Sequence, residues 1–471
     1  MRSRAALAVT GGVVLVGLVA AGWAAGFALG EPLPVATRSS VAAAPAATAS
    51  ALRTASALPT ATASAAPTAS TVARTCSVGA AARDPRLHRF QGQVLDARTG
   101  EVLFDRGGTT ASRAASVMKV LTSAAALKVL GPDYRLTTRV VQGSRAGEIV
   151  LVGGGDVTLS RTPAGTTPFY AGAAHLSTLA HQVQLAWKAA HPGQPITRIV
   201  LDSSYFGGPS WQPTWKVKER ALGSTPEMTA LMVDGDRADP MLSTSPRGSD
   251  PVGRAGAAFA ASFGRGVTVV RGTAPSGAPV LGIVRSQPVS TLIRQELIVS
   301  DNTLAEALAR VTAIRAGTGN TFSAIDAAVI PALRSYGIAP TGVRVVDGSG
   351  LSDDDRIPPA YLTKLLVKVL HRTDGLGPIF AGLPIAGRTG SLAYSDRFSG
   401  AAARADGRVW AKTGWIDDGY TLAGIIRAKD GTPLTFAFYA LGTGFVSPNA
   451  KQALDTLTAD VWSCGARLSN G

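Results

Sequence analysis

The chain has 471 residues, 46% of them hydrophobic and 16% charged, more apolar material than one ordinary core holds, which predicts at least two packed units plus tails. Its formal net charge is +15, yet the basic residues are scattered and show no recognition-helix or RNP pattern, so no nucleic-acid partner is expected. His88, His175, His181, His191 and His371 form no H-E-x-x-H and the cysteines lack zinc spacing, so no metal or other cofactor is expected.

At the start, Arg2 and Arg4 precede an unbroken apolar run from Ala5 to Gly30, long enough as a helix to cross a hydrocarbon core of ~30 Å. Positive flanks resist translocation, so everything after Gly30 is expected outside the cell membrane. The run is longer than the apolar stretch of a cleaved signal, and residues 1–30 are read as a membrane anchor in preference to a signal sequence. Residues 31–75 are mostly Ala, Ser, Thr and Pro; with so few large apolar side chains they cannot offset their ordering entropy, and a disordered tether is predicted. The expected location is the outer face of the plasma membrane, or the exterior if the signal is cleaved. Cys76 and Cys464 bracket the rest of the chain. In an oxidising compartment they are expected to pair, two separate buried thiols being the alternative.

Next come two alternating apolar runs around Arg98, Thr99 and Gly100, a hairpin pattern. The stretch from Ser116 to Leu130 carries Met118, Leu121, Ala125 and Leu130 on a helical period and stops at Gly131-Pro132. From Arg135 to about Arg285 short β-like pieces alternate with Gly, Pro and Ser clusters, interrupted by one amphipathic helix from His175 to His191. Helices resume at about Val289. A second hairpin turns at Asp430-Gly431, and Ser447-Pro448 opens a last helix running to about Trp462. No period of ~20–50 residues recurs, which excludes a repeat architecture.

Three short motifs follow in order: Ser116-Val117-Met118-Lys119, Ser300-Asp301-Asn302 and Lys412-Thr413-Gly414. A lone Ser-x-x-Lys says little, since a helix-start serine beside a solvated lysine is common. Residues three apart on a helix share a face, however, so Lys119 can reach the Ser116 hydroxyl. Burial and the positive charge of Lys412 would lower the Lys119 pKa and let it act as a base. Ser300 is expected to relay a proton to the leaving amine, and Asn302 to hold Lys119 and a substrate amide. Lys412 and Thr413, on a strand before the final hairpin, suit a terminal carboxylate. Backbone amides of Ser116 and Trp415 would hold an oxyanion.

On these motifs the chain resembles the class C low-molecular-mass penicillin-binding proteins, the D-Ala-D-Ala carboxypeptidase/endopeptidase family, from about Phe90 to Gly444. Gly154 to Leu159, Leu201 to Phe206, Ser300 to Ala307, Val346 to Ser352 and Gly387 to Leu392 share in the likeness. The resemblance implies an α+β, multidomain fold: a β-lactamase/transpeptidase-like domain with its antiparallel sheet between helices, built from residues 76–135 and 286–466, and an inserted β-rich region at 136–285. It implies a serine hydrolase acting on peptidoglycan peptides that end in D-Ala-D-Ala and acylated by β-lactams, with Thr413, Gly414 and Trp415 among the substrate-binding residues. It also implies that Asp156 and Arg356 bind a diaminopimelate side chain. Trp415 departs from the family's usual small hydroxyl residue, and Asp353-Asp354-Asp355 from a less acidic stretch. A β-lactamase would share the three motifs but must deacylate quickly, and a wall-binding scaffold could use the same cleft without chemistry.

Overall fold

The computed structural model describes residues 72–470, so the expected anchor and nearly all of the tether lie outside the described residues. Among the described residues no helix is long and apolar enough to cross a membrane. β1 (Cys76–Ser77) is followed by β2 (Arg89–Asp96) and β3 (Val102–Arg106), the hairpin expected around Arg98. α1 (Met118–Val129) continues a short 3-10 turn over Ala115–Val117, as the helical period required. The β-like pieces of the middle region become β4 (Thr137–Gln142), β5 (Glu148–Gly154), β6 (Arg198–Asp202), β7 (Thr268–Arg271) and β8 (Val280–Arg285). Between them run α2 (Leu176–Ala190), the short α3 (Lys218–Ala221) and α4 (Pro251–Ala260). Five helices follow: α5 (Val289–Val299), α6 (Asn302–Arg315), α7 (Ile325–Arg334), α8 (Pro359–His371) and α9 (Gly377–Gly382). The chain closes with β9 (Val409–Ile416), β10 (Gly419–Arg427), β11 (Pro433–Leu441), α10 (Asn449–Cys464) and β12 (Leu468–Ser469).

The first sheet has the order β3-β2-β11-β10-β9 and is antiparallel throughout. Successive strand side chains point to opposite faces, and β11 shows the result. Phe436, Phe438 and Ala440 pack with Ala453, Leu454, Leu457 and Val461 of α10 on one side. Ala437, Tyr439 and Leu441 pack on the other with α1, α5 and α8. Both faces being covered, β11 reads as a nearly continuous apolar run. α1 is the centre of the helical layer, with every residue from Met118 to Leu127 buried.

The second sheet, order β7-β6-β5-β4-β8, is mixed: β5, β6 and β7 are parallel neighbours and β4 is antiparallel to β5 and β8. Parallel neighbours need a crossover, and α2 and α4 provide it, packing with Val140, Ile149, Leu151, Ile199 and Leu201 on one face. Val141, Val150 and Val200 point the opposite way into a smaller cluster. Beyond the sheet, Phe206, Trp215, Met228 and Met232 join the same core as α1, α5 and α6, so the 136–285 region is anchored to the helical layer by its loops. The two ends of the described region are tied by the Cys76–Cys464 disulfide, with Cα atoms 5.4 Å apart, and by parallel pairing of β1 with β12.

Candidate active site

The three motifs, distant in sequence, converge. Ser116 lies in the 3-10 turn ahead of α1, half-buried, after Ala115 at φ 46°. A non-glycine residue in the left-handed region is uncommon. Here it is held from two sides: the Thr421 hydroxyl donates to the Ala114 carbonyl at 2.7 Å, and Gly350 lies so close that a Cβ there would strike the Ala115 carbonyl oxygen. Gly414 of β9 is needed for the same reason, since its Cβ would run into Thr421 Oγ1 and meet the Ala114 carbonyl oxygen. The third motif's glycine therefore lets the strand edge approach the turn that carries Ser116.

Lys119, one helical turn on from Ser116, is fully buried. Its Nζ donates to Ser116 Oγ at 2.8 Å, to Asn302 Oδ1 at 2.6 Å and to the Ser349 carbonyl at 2.8 Å. Burial lowers its pKa to about 8, against the opposing pull of Glu296, Asp347, Glu306 and Asp301. Ser300 ends α5 in a left-handed conformation, φ 60° and ψ 42°, and its Oγ accepts from Lys412 Nζ at 2.8 Å. Lys412, also fully buried, donates in addition to the Thr413 carbonyl at 2.7 Å. Burial and then the neighbouring Lys119 hold its pKa well below the ordinary lysine value. Asn302 opens α6, its Nδ2 donating to the Ser224 carbonyl at 3.1 Å.

Ser116, Ser300, Asn302, Thr413, Gly414 and Trp415 all border a cavity of about 380 Å³. Trp415 is half exposed there, facing solvent from β9. Asp156 and Arg356, expected from the resemblance to bind a diaminopimelate side chain, do not border it. Asp156 is buried, its Oδ1 accepting from the Thr158 amide and hydroxyl at 2.9 and 2.6 Å, and burial raises its pKa to about 6. Arg356 turns back onto its own loop, donating to the carbonyls of Asp353 and Asp355 at 2.6 and 2.7 Å. Charged cleft residues come instead from Lys216, Glu219, Asp353, Arg397, Asp417 and Lys451.

Sequence reasoning missed these, along with Ser349, whose carbonyl holds Lys119, and Ser391, whose hydroxyl lies 2.7 Å from that of Thr413. It also missed what shapes the Val346 to Ser352 turn. Glu306 accepts from the amides of Gly348 and Ser349, and Asp347 from those of Ser349, Gly350 and Ser352. The glycine-rich turn was a usable signal for Ser349; nothing local marked Glu219.

The sequence pattern of the D-Ala-D-Ala carboxypeptidase 3 (S13) family matches residues 75–262 and 245–461. The chain belongs to that family. It is therefore a serine-type D-Ala-D-Ala carboxypeptidase, a hydrolase of the penicillin-binding class. It is 38% identical over 396 residues to the carboxypeptidase DacB of Mycolicibacterium smegmatis, covering 83% of this chain and 84% of that one. It is 28% identical over 454 residues to a D-alanyl-D-alanine carboxypeptidase of Actinomadura, covering 80% and 82% of the two chains. Penicillin-binding protein 4 of Haemophilus influenzae has the same fold, with a TM-score of 0.66 at 18% identity, over 79% of this chain and 95% of that one. In this carboxypeptidase the expected antiparallel sheet between helices is the first sheet, and the expected inserted β-rich region carries the second.

Proposed function

We propose that Ser116 is the acyl-accepting nucleophile for peptidoglycan peptides ending in D-Ala-D-Ala, with Lys119 as its base. The observation that carries this is the 2.8 Å contact between Lys119 Nζ and Ser116 Oγ, made by a fully buried lysine whose pKa burial lowers to about 8. In the neutral form Lys119 takes the hydroxyl proton as Ser116 Oγ bonds to the carbonyl carbon of the penultimate D-Ala. The developing oxyanion is met by the backbone amides of Ser116 and Trp415, which the close approach of Gly414 to the nucleophile turn supports. As the carbon–nitrogen bond breaks, the leaving amine receives a proton through Ser300, whose hydroxyl is held by Lys412. Water then attacks the ester on Ser116 and releases the shortened peptide. Lys412 and Thr413 hold the substrate's terminal carboxylate.

β-Lactams, which mimic the D-Ala-D-Ala end, acylate the same hydroxyl. Incubating the chain from Ala73 onward with a fluorescent penicillin, and weighing the intact protein, is expected to show one covalent adduct that Ser116→Ala abolishes. An adduct that survives Ser116→Ala, or its absence from folded parent protein, rejects this assignment. We further infer that the run from Ala5 to Gly30 holds the enzyme at the outer face of the plasma membrane, because it is apolar, unbroken and preceded by arginine. Full-length chain is expected to sediment with membranes and the chain from Ala73 onward to stay soluble; equal behaviour of the two refutes the anchor.

A further inference from the structure

Asp301, between the two functional residues of its motif, carries no chemistry in the reaction above, yet its surroundings are costly to build. One carboxyl oxygen caps α6, accepting from the Leu304 amide at 2.8 Å. The other points toward the 136–285 region, where it accepts from Arg237 Nη2 at 2.7 Å and from the Tyr170 hydroxyl at 3.1 Å. The ion pair is almost wholly buried, with side-chain exposures of 2% for Arg237 and 3% for Asp301. A buried guanidinium must find partners for its remaining N–H groups or lose several kcal/mol of solvation. Arg237 finds them in the carbonyls of Asp234 at 3.1 Å and Ser243 at 3.3 Å, and its Cζ lies 4.1 Å from the centre of the Phe169 ring and 4.7 Å from that of Tyr170.

The backbone that presents Arg237 is itself strained. Asp234, Gly235 and Asp236 stand in succession at φ 53°, 59° and 58°, a left-handed run that non-glycine residues avoid. It persists because side chains lock it. Asp234 pairs with Arg161 at 3.0 Å and Asp236 with Arg254 at 3.2 Å. Arg247 donates to the Gly235 carbonyl and, at 3.1 Å, to the Gly223 carbonyl. The residue after Gly223 is Ser224, whose carbonyl accepts from Asn302. One charged network thus reaches two consecutive motif residues, Asp301 through Arg237 and Asn302 through Ser224.

We propose that this part of the 136–285 region is a clamp that positions the Ser300-Asp301-Asn302 segment for acyl transfer, with Arg237 as its principal positioning residue. Ser300 stands in a left-handed conformation at the junction of α5 and α6, and the Asp301 amide donates to the Glu296 carbonyl at 2.9 Å, while Leu304 and Leu308 of α6 share a core with α1. The grip on Asp301 adds the side-chain hold that sets where α6 begins, and with it the place of Asn302 Oδ1 against Lys119 and of Ser300 Oγ against Lys412. Arg237, Tyr170 and Asp301 do not line the cavity. Displacing a catalytic group by about 1 Å costs up to about 100-fold in rate, so loss of the clamp is read in the acylation step, with non-covalent binding little changed.

The proposal rests on the acyl-transfer reading, and the test separates the two. Arg237→Gln, Arg237→Lys and Tyr170→Phe are compared with the parent by the rate constant of acylation and the prior dissociation constant for a slow-reacting penicillin, and by amide hydrogen exchange over residues 300–304. The clamp predicts a tenfold or greater loss of acylation rate in Arg237→Gln at a dissociation constant within threefold of the parent. It also predicts partial recovery in Arg237→Lys, a smaller loss in Tyr170→Phe, and faster exchange at 300–304 in the same order. If Arg237→Gln fails to fold, Arg237→Lys and Tyr170→Phe carry the same ordering. Acylation and exchange like the parent's in the folded variants overturn the clamp. A parent that is never acylated overturns the acyl-transfer reading instead, and the exchange ordering then decides the clamp alone.

Discussion

The protonation of Lys119 offers the sharpest quantitative handle on the site. With a pKa of about 8 set by burial, the neutral fraction is about 1% at pH 6, about 10% at pH 7 and half at pH 8. Acylation limited by that base rises about 50-fold from pH 6 to pH 8 and levels off above. The same shift has a stability consequence. The folded-state value lies below the ordinary 10.5, so above pH 8 the unfolded chain holds a proton that the folded chain has released, and stability rises with pH. Lys412, shifted in the same direction by burial and by Lys119, adds with the same sign. Between pH 8 and pH 9.5, below the ionisation of unfolded tyrosines, Lys119 alone contributes about 2 kcal/mol. Stopped-flow acylation with a fluorescent penicillin measures the first quantity, and urea midpoints of parent against Lys119→Met measure the second. An acylation rate that keeps rising tenfold per pH unit through pH 9 would mean an ordinary lysine and refute the reasoning. So would substantial acylation in Lys119→Met, or a stability slope common to both proteins.

Reduction of the Cys76–Cys464 bridge, which closes a separation of 388 residues, is expected to cost about 6 kcal/mol on the chain-entropy account; a thermal midpoint unchanged by reductant, or by Cys76→Ser, contradicts it. Asp455 accepts from Arg397 Nε and Nη2 at 2.8 and 2.6 Å and from the Phe398 amide at 3.0 Å, with side-chain exposures of 7% for Arg397 and 1% for Asp455. Asp455→Ala therefore strands a buried guanidinium at the cleft wall and is expected to destabilise the fold by about 3–5 kcal/mol, read as a fall in the urea midpoint; an unchanged midpoint rejects the cost assigned to the stranded charge.

Much of the architecture was legible because its information is local. Apolar residues at period two around Arg98 and Asp430 specify hairpins whatever they pack against, and the helical period from Met118 to Leu130 puts Ser116 and Lys119 on one face. The pairing of Cys76 with Cys464, expected from their positions at the two ends of the folded region, is present. What the sequence by itself determined, then, is the set of reactive groups and the elements that carry them, since spacing along a helix or strand sets which side chains share a face. Only the tertiary structure decided which polar residues meet. The Ser349 carbonyl on Lys119, the Glu306 carboxylate under the Ser349 amide, and Arg237 on Asp301 are contacts between residues 230, 43 and 64 positions apart. Asp156 and Arg356 show the converse: their charges were visible, but not that one would be buried and the other turned onto its own loop. An ionic contact carries no periodicity, and where a charge ends up depends on how distant layers pack around it.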